Sequence, residues 1–172
     1  ADTFTGAITL GSDAIIASTG TVLMTLSGGV TGAFSLTTST NSTGGITISG
    51  SVNNGGTVTN SGSGSGVVTI SSVIGTNVTG VYQNSSSSQL TLSGTSNTFT
   101  SGVTINAGIV SAKATASLGA ATSPLVFNAN NTELLSAGTV TMTSSRSVTF
   151  NVSATIDTTG GNVTIPENLS TS

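Results

Sequence analysis

Five carboxylates (Asp2, Asp13, Glu133, Asp157 and Glu167), two cations (Lys113 and Arg146) and one phenol (Tyr82) are all the ionisable side chains of this 172-residue sequence. It contains neither His nor Cys. General acid–base and nucleophilic catalysis draw mainly on His, on a tuned carboxylate or Lys, or on a Cys or Ser activated by a neighbouring base. A Ser/His/Asp relay is therefore impossible, and the carboxylate chemistry that remains needs two acids to converge. Glu133 and Asp157 lie roughly one repeat apart, close enough in sequence to stack. Two solvated corner acids are the plainer expectation, and the sequence predicts a protein that is not an enzyme.

Binding chemistry is equally sparse. Without Cys there is no thiolate metal site and no disulfide framework. A calcium-binding nonapeptide would repeat Gly-Gly-x-Gly-x-Asp, and no such run occurs. No metal and no cofactor is predicted. With two cations and a formal charge of −3, no basic patch can neutralise a row of phosphates, which excludes nucleic acid and anionic membrane surfaces as partners. No apolar run reaches 18 residues, so membrane insertion by a helix is excluded as well. Tyr82 and five Phe are too few for a stacked-aromatic carbohydrate platform; Phe4, Phe34, Phe99, Phe127 and Phe150 are expected to fill an interior or cover its ends. Asn-x-Ser/Thr sequons begin at Asn41, Asn77, Asn84, Asn130, Asn151, Asn162 and Asn168, as a chain rich in these residues produces by composition alone.

The elements that carry these residues announce themselves by repetition. Met24-Thr-Leu26-Ser returns as Ile46-Thr-Ile48-Ser, Val68-Thr-Ile70-Ser and Leu90-Thr-Leu92-Ser, at intervals of 22 residues. Fixed periods of this size mark solenoids. Within each phrase apolar and polar residues alternate, so the apolar pair points to one face of a strand. A lone strand cannot bury that face. Stacked about 4.8 Å apart, strands from successive turns make continuous columns inside a coil. Val30, Val52 and Ile74 form a second column at the same interval, and Val103/Ile105, Leu125/Phe127 and Val148/Phe150 a third, with a slip of one residue before the last pair. Extrapolation of the first series places Asp2 to Thr5 in phase before it, and Val110 to Ala114, Leu134-Leu135 and Ile156 after it. The predicted fold is all-β: a single parallel β-helix of about 22 residues per turn and about eight turns, roughly 38 Å long. A Greek-key sandwich stays open for residues 1–43, where the period is weakest.

Asn, Ser and Gly clusters mark the corners, among them Asn41 to Gly45, Asn53 to Gly56, Ser61 to Gly66 and Asn84 to Ser88. The Ser/Gly run at 61–66 resembles a linker in composition. The period passes through it unbroken, so a tight surface loop is expected. Asn106, Asn128 and Asn151 share one column position and predict an amide ladder inside the coil. Pro166 is expected to stop the last strand, leaving 166–172 as a polar tail.

From Gln89 onward the phrases are more particular: Leu90-Thr-Leu-Ser-Gly, Asn97-Thr-Phe-Thr-Ser-Gly, Val103-Thr-Ile-Asn-Ala-Gly108, Ser117-Leu-Gly119 and, later, Ile156-Asp-Thr-Thr-Gly-Gly-Asn-Val-Thr-Ile165. Over 89–165 the chain resembles the autotransporter-associated β-strand repeat. Ser101 stands where that repeat usually has Gly, and Ile109 to Lys113 replaces its usual Thr-Leu-Gln-Val/Leu. The resemblance implies a right-handed parallel β-helix of bacterial surface and secreted proteins, with no shared catalytic or ligand-binding residues to carry over.

The functional expectation follows from open ends. A solenoid finishes in unpaired strand edges, and natural examples cap them. No amphipathic helix is readable at either end, and in-phase strands start almost at Ala1. A start without Met or an apolar leader, together with the absence of Cys, suggests a secreted, extracellular or cell-surface protein. The reading is a structural subunit that binds itself, by axial stacking or by strand exchange, into a filament or matrix. Residues 1–12, with Thr3, Phe4, Ile8 and Leu10, form the candidate joining strand. The alternative is a passenger segment of a larger adhesin that meets a glycan or surface receptor through its corner loops.

Overall fold

The computed structural model describes residues 1–165 and the strand Leu169–Thr171. It is a parallel β-solenoid of about 22 residues per turn and about seven turns. The first sheet stacks Asp2–Phe4, Met24–Leu26, Ile46–Ile48, Val68–Ile70, Leu90–Leu92, Ile109–Ala114, Thr132–Thr141 and Ala154–Asp157 in that order. The second stacks Ala14–Ser18, Leu36–Thr40, Val58–Ser61, Val81–Gln83, Val103–Ile105, Leu125–Phe127, Val148–Phe150 and Leu169–Thr171. Eight strands on a face make seven steps, so the coil is one turn shorter than the sequence suggests, about 34 Å at the usual strand spacing. A third face is thinner: Ile8–Leu10 pairs with Val30–Gly32, and single bridges carry the column from Val30 to Val52 and Ile74. Residues 1–43 belong to this coil and form no sandwich.

Every strand pair is parallel, because the chain returns to each face only after a full circuit. Most strands are three residues long, and six of these, Ile46–Ile48, Val68–Ile70, Val81–Gln83, Leu90–Leu92, Val103–Ile105 and Leu125–Phe127, show a buried, half-buried, buried pattern. The two buried side chains of each enter the interior: Ile46, Ile48, Val68, Ile70, Leu90 and Leu92 are almost wholly excluded from solvent, as are Leu26, Val30, Val52, Ile74, Val103, Ile105, Leu125, Phe127 and Val148. Met24 and Phe150 are only partly buried. Burying one such side chain stabilises by about 1.5–3 kcal/mol, so the columns dominate the stability of each turn. Phe127 and Phe150 stack with ring centroids 4.6 Å apart. Phe99 is buried too, but Phe34 is 40% and Phe4 53% exposed, so the expectation that every Phe fills or covers the interior fails for Phe34, on the flank of the coil.

The corner at 61–66 is a tight loop laid on the turn before it. Gly64 and Gly66 donate backbone hydrogen bonds to Thr40 and Ser42, at 2.8 and 2.9 Å. Gly62 adopts φ 121°, and a Cβ there would collide with the Thr40 carbonyl, so glycine is required at this point. Of the expected C-terminal tail, 166–168, including Pro166 and Glu167, and Ser172 lie outside the described residues, while Leu169–Thr171 pairs with Val148–Phe150.

Candidate functional site

Two expected polar constellations are placed differently by the structure. Glu133 pairs with Thr155, and Asp157 with Leu135, two positions further along the same strands, so the two carboxylates do not stack and form no acid pair. The Asp157 carboxylate instead accepts a hydrogen bond from the Thr159 backbone N–H at 2.7 Å, which holds its pKa below the ordinary carboxylate value. The Asn ladder exists but runs along the outside. Asn128 donates to Asn106 and Asn151 to Asn128, each at 3.0 Å, on an exposed corner rather than in the interior. The reason is pleat: Ile105, Phe127 and Phe150 take the inward positions, and the next residue points out. Asn84 extends the ladder, accepting from Asn106 at 2.7 Å; it lies one period before Asn106, a signal present in the sequence.

The interior amides are others. Thr38, Asn60 and Gln83 occupy the column that Ile105 and Phe127 continue. Asn60 Nδ2 donates to Gln83 Oε1 at 2.7 Å and to the Ser88 carbonyl at 3.1 Å, and Gln83 Nε2 reaches the carbonyls of Ser85 and Ser88 at 2.8 and 2.6 Å. Burial demands such partners. Lys113 is exposed, whereas Arg146 is fully enclosed. Its guanidinium donates to the carbonyls of Leu118 and Ala120 at 2.9 Å each, of Gly119 at 3.3 Å, and of Ser123. Desolvation lowers its pKa from the ordinary guanidinium value. These groups tie the coil together; none forms a reactive pair. Among the described residues no three acidic side chains converge on a metal position.

The first turn leaves its strand edges open. Asp2–Phe4, Ile8–Leu10 and Ala14–Ser18 each stand at the end of their sheet, with a hydrogen-bonded neighbour on one side only. Asp2, Ile8 and Ala14 donate to Leu23, Gly29 and Ser35 of the next turn, at 3.0, 2.9 and 3.0 Å. Alternate residues of a parallel strand bond to opposite sides, so the backbone groups of Thr3, Thr9 and Ile15 face outward along the axis. Inside this rim lies a cavity of about 630 Å³ lined mainly by apolar side chains, Phe4, Ile8, Ile16, Met24 and Leu26 among them. Of the candidate joining residues, Thr3 and Phe4 are exposed, Ile8 is half-buried and Leu10 is buried against the second turn. No protein-family model, curated protein or solved structure matches the chain. The parallel coil and its open first turn are therefore the observations on which a functional reading rests.

Proposed function

We propose that the protein is a secreted, non-catalytic structural subunit that assembles end to end into an extracellular filament or surface matrix. The first turn carries this reading: three strand edges with free backbone donors and acceptors encircle an apolar cavity. Exposed edges recruit further strands, and exposed apolar surface favours whatever covers it. A second copy offers the matching chemistry, because its last turn ends the same two sheets in parallel strands, Ala154–Asp157 and Leu169–Thr171. Negative-stain microscopy and sedimentation of the purified chain test this. Chains or fibres that disappear in Phe4→Asp and Ile8→Asp are the expected result; monodisperse single particles at high concentration would overturn it.

A passenger segment of a larger autotransporter-like adhesin is the second reading, favoured by the repeat resemblance over 89–165. On that reading the residues preceding Ala1 supply the missing turn, and corner loops meet a glycan or surface receptor. A gene whose reading frame continues on both sides would support it.

A further inference from the structure

The outer surface of the first sheet bears a pattern that starts at the joint strand and runs on well beyond it. Thr25-x-Ser27 on one strand is followed by the same outward pair at 47, 69 and 91, and preceded by Thr3-x-Thr5. All five strands pair in one unbroken register, Thr3 on Thr25, Thr25 on Thr47, Thr47 on Thr69 and Thr69 on Thr91. The result is two rows of hydroxyls repeating about every 4.8 Å along the axis, the rows about 6.7 Å apart. Two of the Ser oxygens are also oriented. Ser27 Oγ donates to the Phe4 carbonyl at 3.3 Å and Ser71 Oγ to that of Ile48 at 3.4 Å, so these oxygens turn lone pairs outward. Exposed Leu23 and Val67 flank the rows on the same side. No charged or aromatic side chain enters the rows until the sixth strand, where Ala112 pairs with Leu92 and brings Lys113 alongside Ser93.

A partner that reads one rung needs one hydroxyl; five rungs of paired hydroxyls are matched by a partner that repeats at the same step in a plane. It must also be uncharged and accept and donate hydrogen bonds throughout. Crystalline polysaccharide is gripped by planar rings, and the rows carry none. The oxygen rows of an ice face repeat at a spacing close to that between strands, and each rung offers a Thr methyl and hydroxyl beside a second hydroxyl, a Ser in four of the five. We propose that this face binds ice, ordering water over the Thr and Ser rows and so restraining crystal growth.

Nanolitre osmometry and an ice-recrystallisation assay on the full chain test the proposal. The native protein is expected to facet ice crystals and lower their growth temperature beyond the colligative value. Thr47→Tyr combined with Thr69→Tyr should lose that effect with an unchanged circular dichroism spectrum, and Thr37→Tyr on the second sheet should keep it. Ser49→Tyr alone serves as the decisive variant if the double substitution disturbs folding. Absence of any effect by the native chain, or full activity in the row variants, overturns the proposal; so does a native chain that pairs laterally through this face and leaves ice untouched. The end-to-end joint is read by microscopy, so either idea can fail without the other.

Discussion

The first five strands of the first sheet keep one register from Asp2–Phe4 to Leu90–Leu92, whereas the later ones do not. Leu90 pairs with Val110, so that turn is two residues short; Val110 pairs with Leu134, so the next is two residues long, and a bulge between Ala112 and Ala114 accompanies it. The interior differs in the same sense. One column of the second sheet runs Thr38, Asn60 and Gln83 in the early turns, then Ile105, Phe127 and Phe150. The early amide core, which spans a 23-residue step between Asn60 and Gln83, draws on the carbonyls of one polar corner, Ser85 and Ser88. Irregular turns are instead wedged by large single groups, the Phe127–Phe150 stack and the Arg146 guanidinium. Strict repetition thus spreads stability evenly, and its loss concentrates stability in a few side chains.

Substitutions on the two sides of this boundary should sharpen the contrast. Phe127→Ala removes a fully buried ring and one half of the stack, and is expected to cost about 3–5 kcal/mol in urea unfolding. Because each turn touches only its neighbours, hydrogen exchange should show the protection loss centred on Val103–Ile105 and Val148–Phe150, with the strands before Leu90 spared. Uniform loss along the whole coil would contradict a concentrated wedge.

Arg146→Leu comes next, at about 2–4 kcal/mol. It strands the carbonyls of Leu118, Gly119, Ala120 and Ser123 in a buried corner. Arg146→Lys should recover only part, since an ammonium lacks the planar fork that reaches several carbonyls together. The backbone there has no slack: Gly119 sits at φ 89°, against the Phe99 carbonyl. In the regular half, Asn60→Leu breaks the contact with Gln83 and Ser88 at an expected cost of about 1–3 kcal/mol. If it instead stabilises the coil, the early amide core is a burden rather than a support.

The same boundary separates what could be read from sequence from what could not. Met24 through Leu92 announce their columns because the period is constant, and Val110, Leu134 and Ile156 fall in the series despite the slips. The amide core escaped notice because Asn60 and Gln83 differ in type and stand 23 residues apart, which hides the column from a search for like residues at a fixed interval. The Asn106 ladder was visible but its side was not: the following residue of each strand faces outward, and that depends on where the strand ends. Arg146 gave no signal at all. Its four partners are backbone carbonyls, and a carbonyl cage has no side-chain signature in sequence.

The smallest effect concerns pH. Asp157 ends the strand Ala154–Asp157 at the far edge of the first sheet and accepts the Thr159 amide hydrogen bond, which depresses its pKa in the folded chain. A carboxylate depressed on folding contributes stability that is complete above the ordinary value of about 3.9 and is lost as pH falls through the folded one. Melting temperature should therefore drop on acidification below about pH 4, and Asp157→Asn should flatten that drop. The group is solvent-exposed, so the difference is expected to be slight. Hydrogen exchange in acid should locate it in the final turn, where the irregular half ends, while the five strands from Asp2 to Leu92 stay protected. Acid-induced opening that began in those strands would show the strict register, and not the wedged turns, to be the weaker part of the coil.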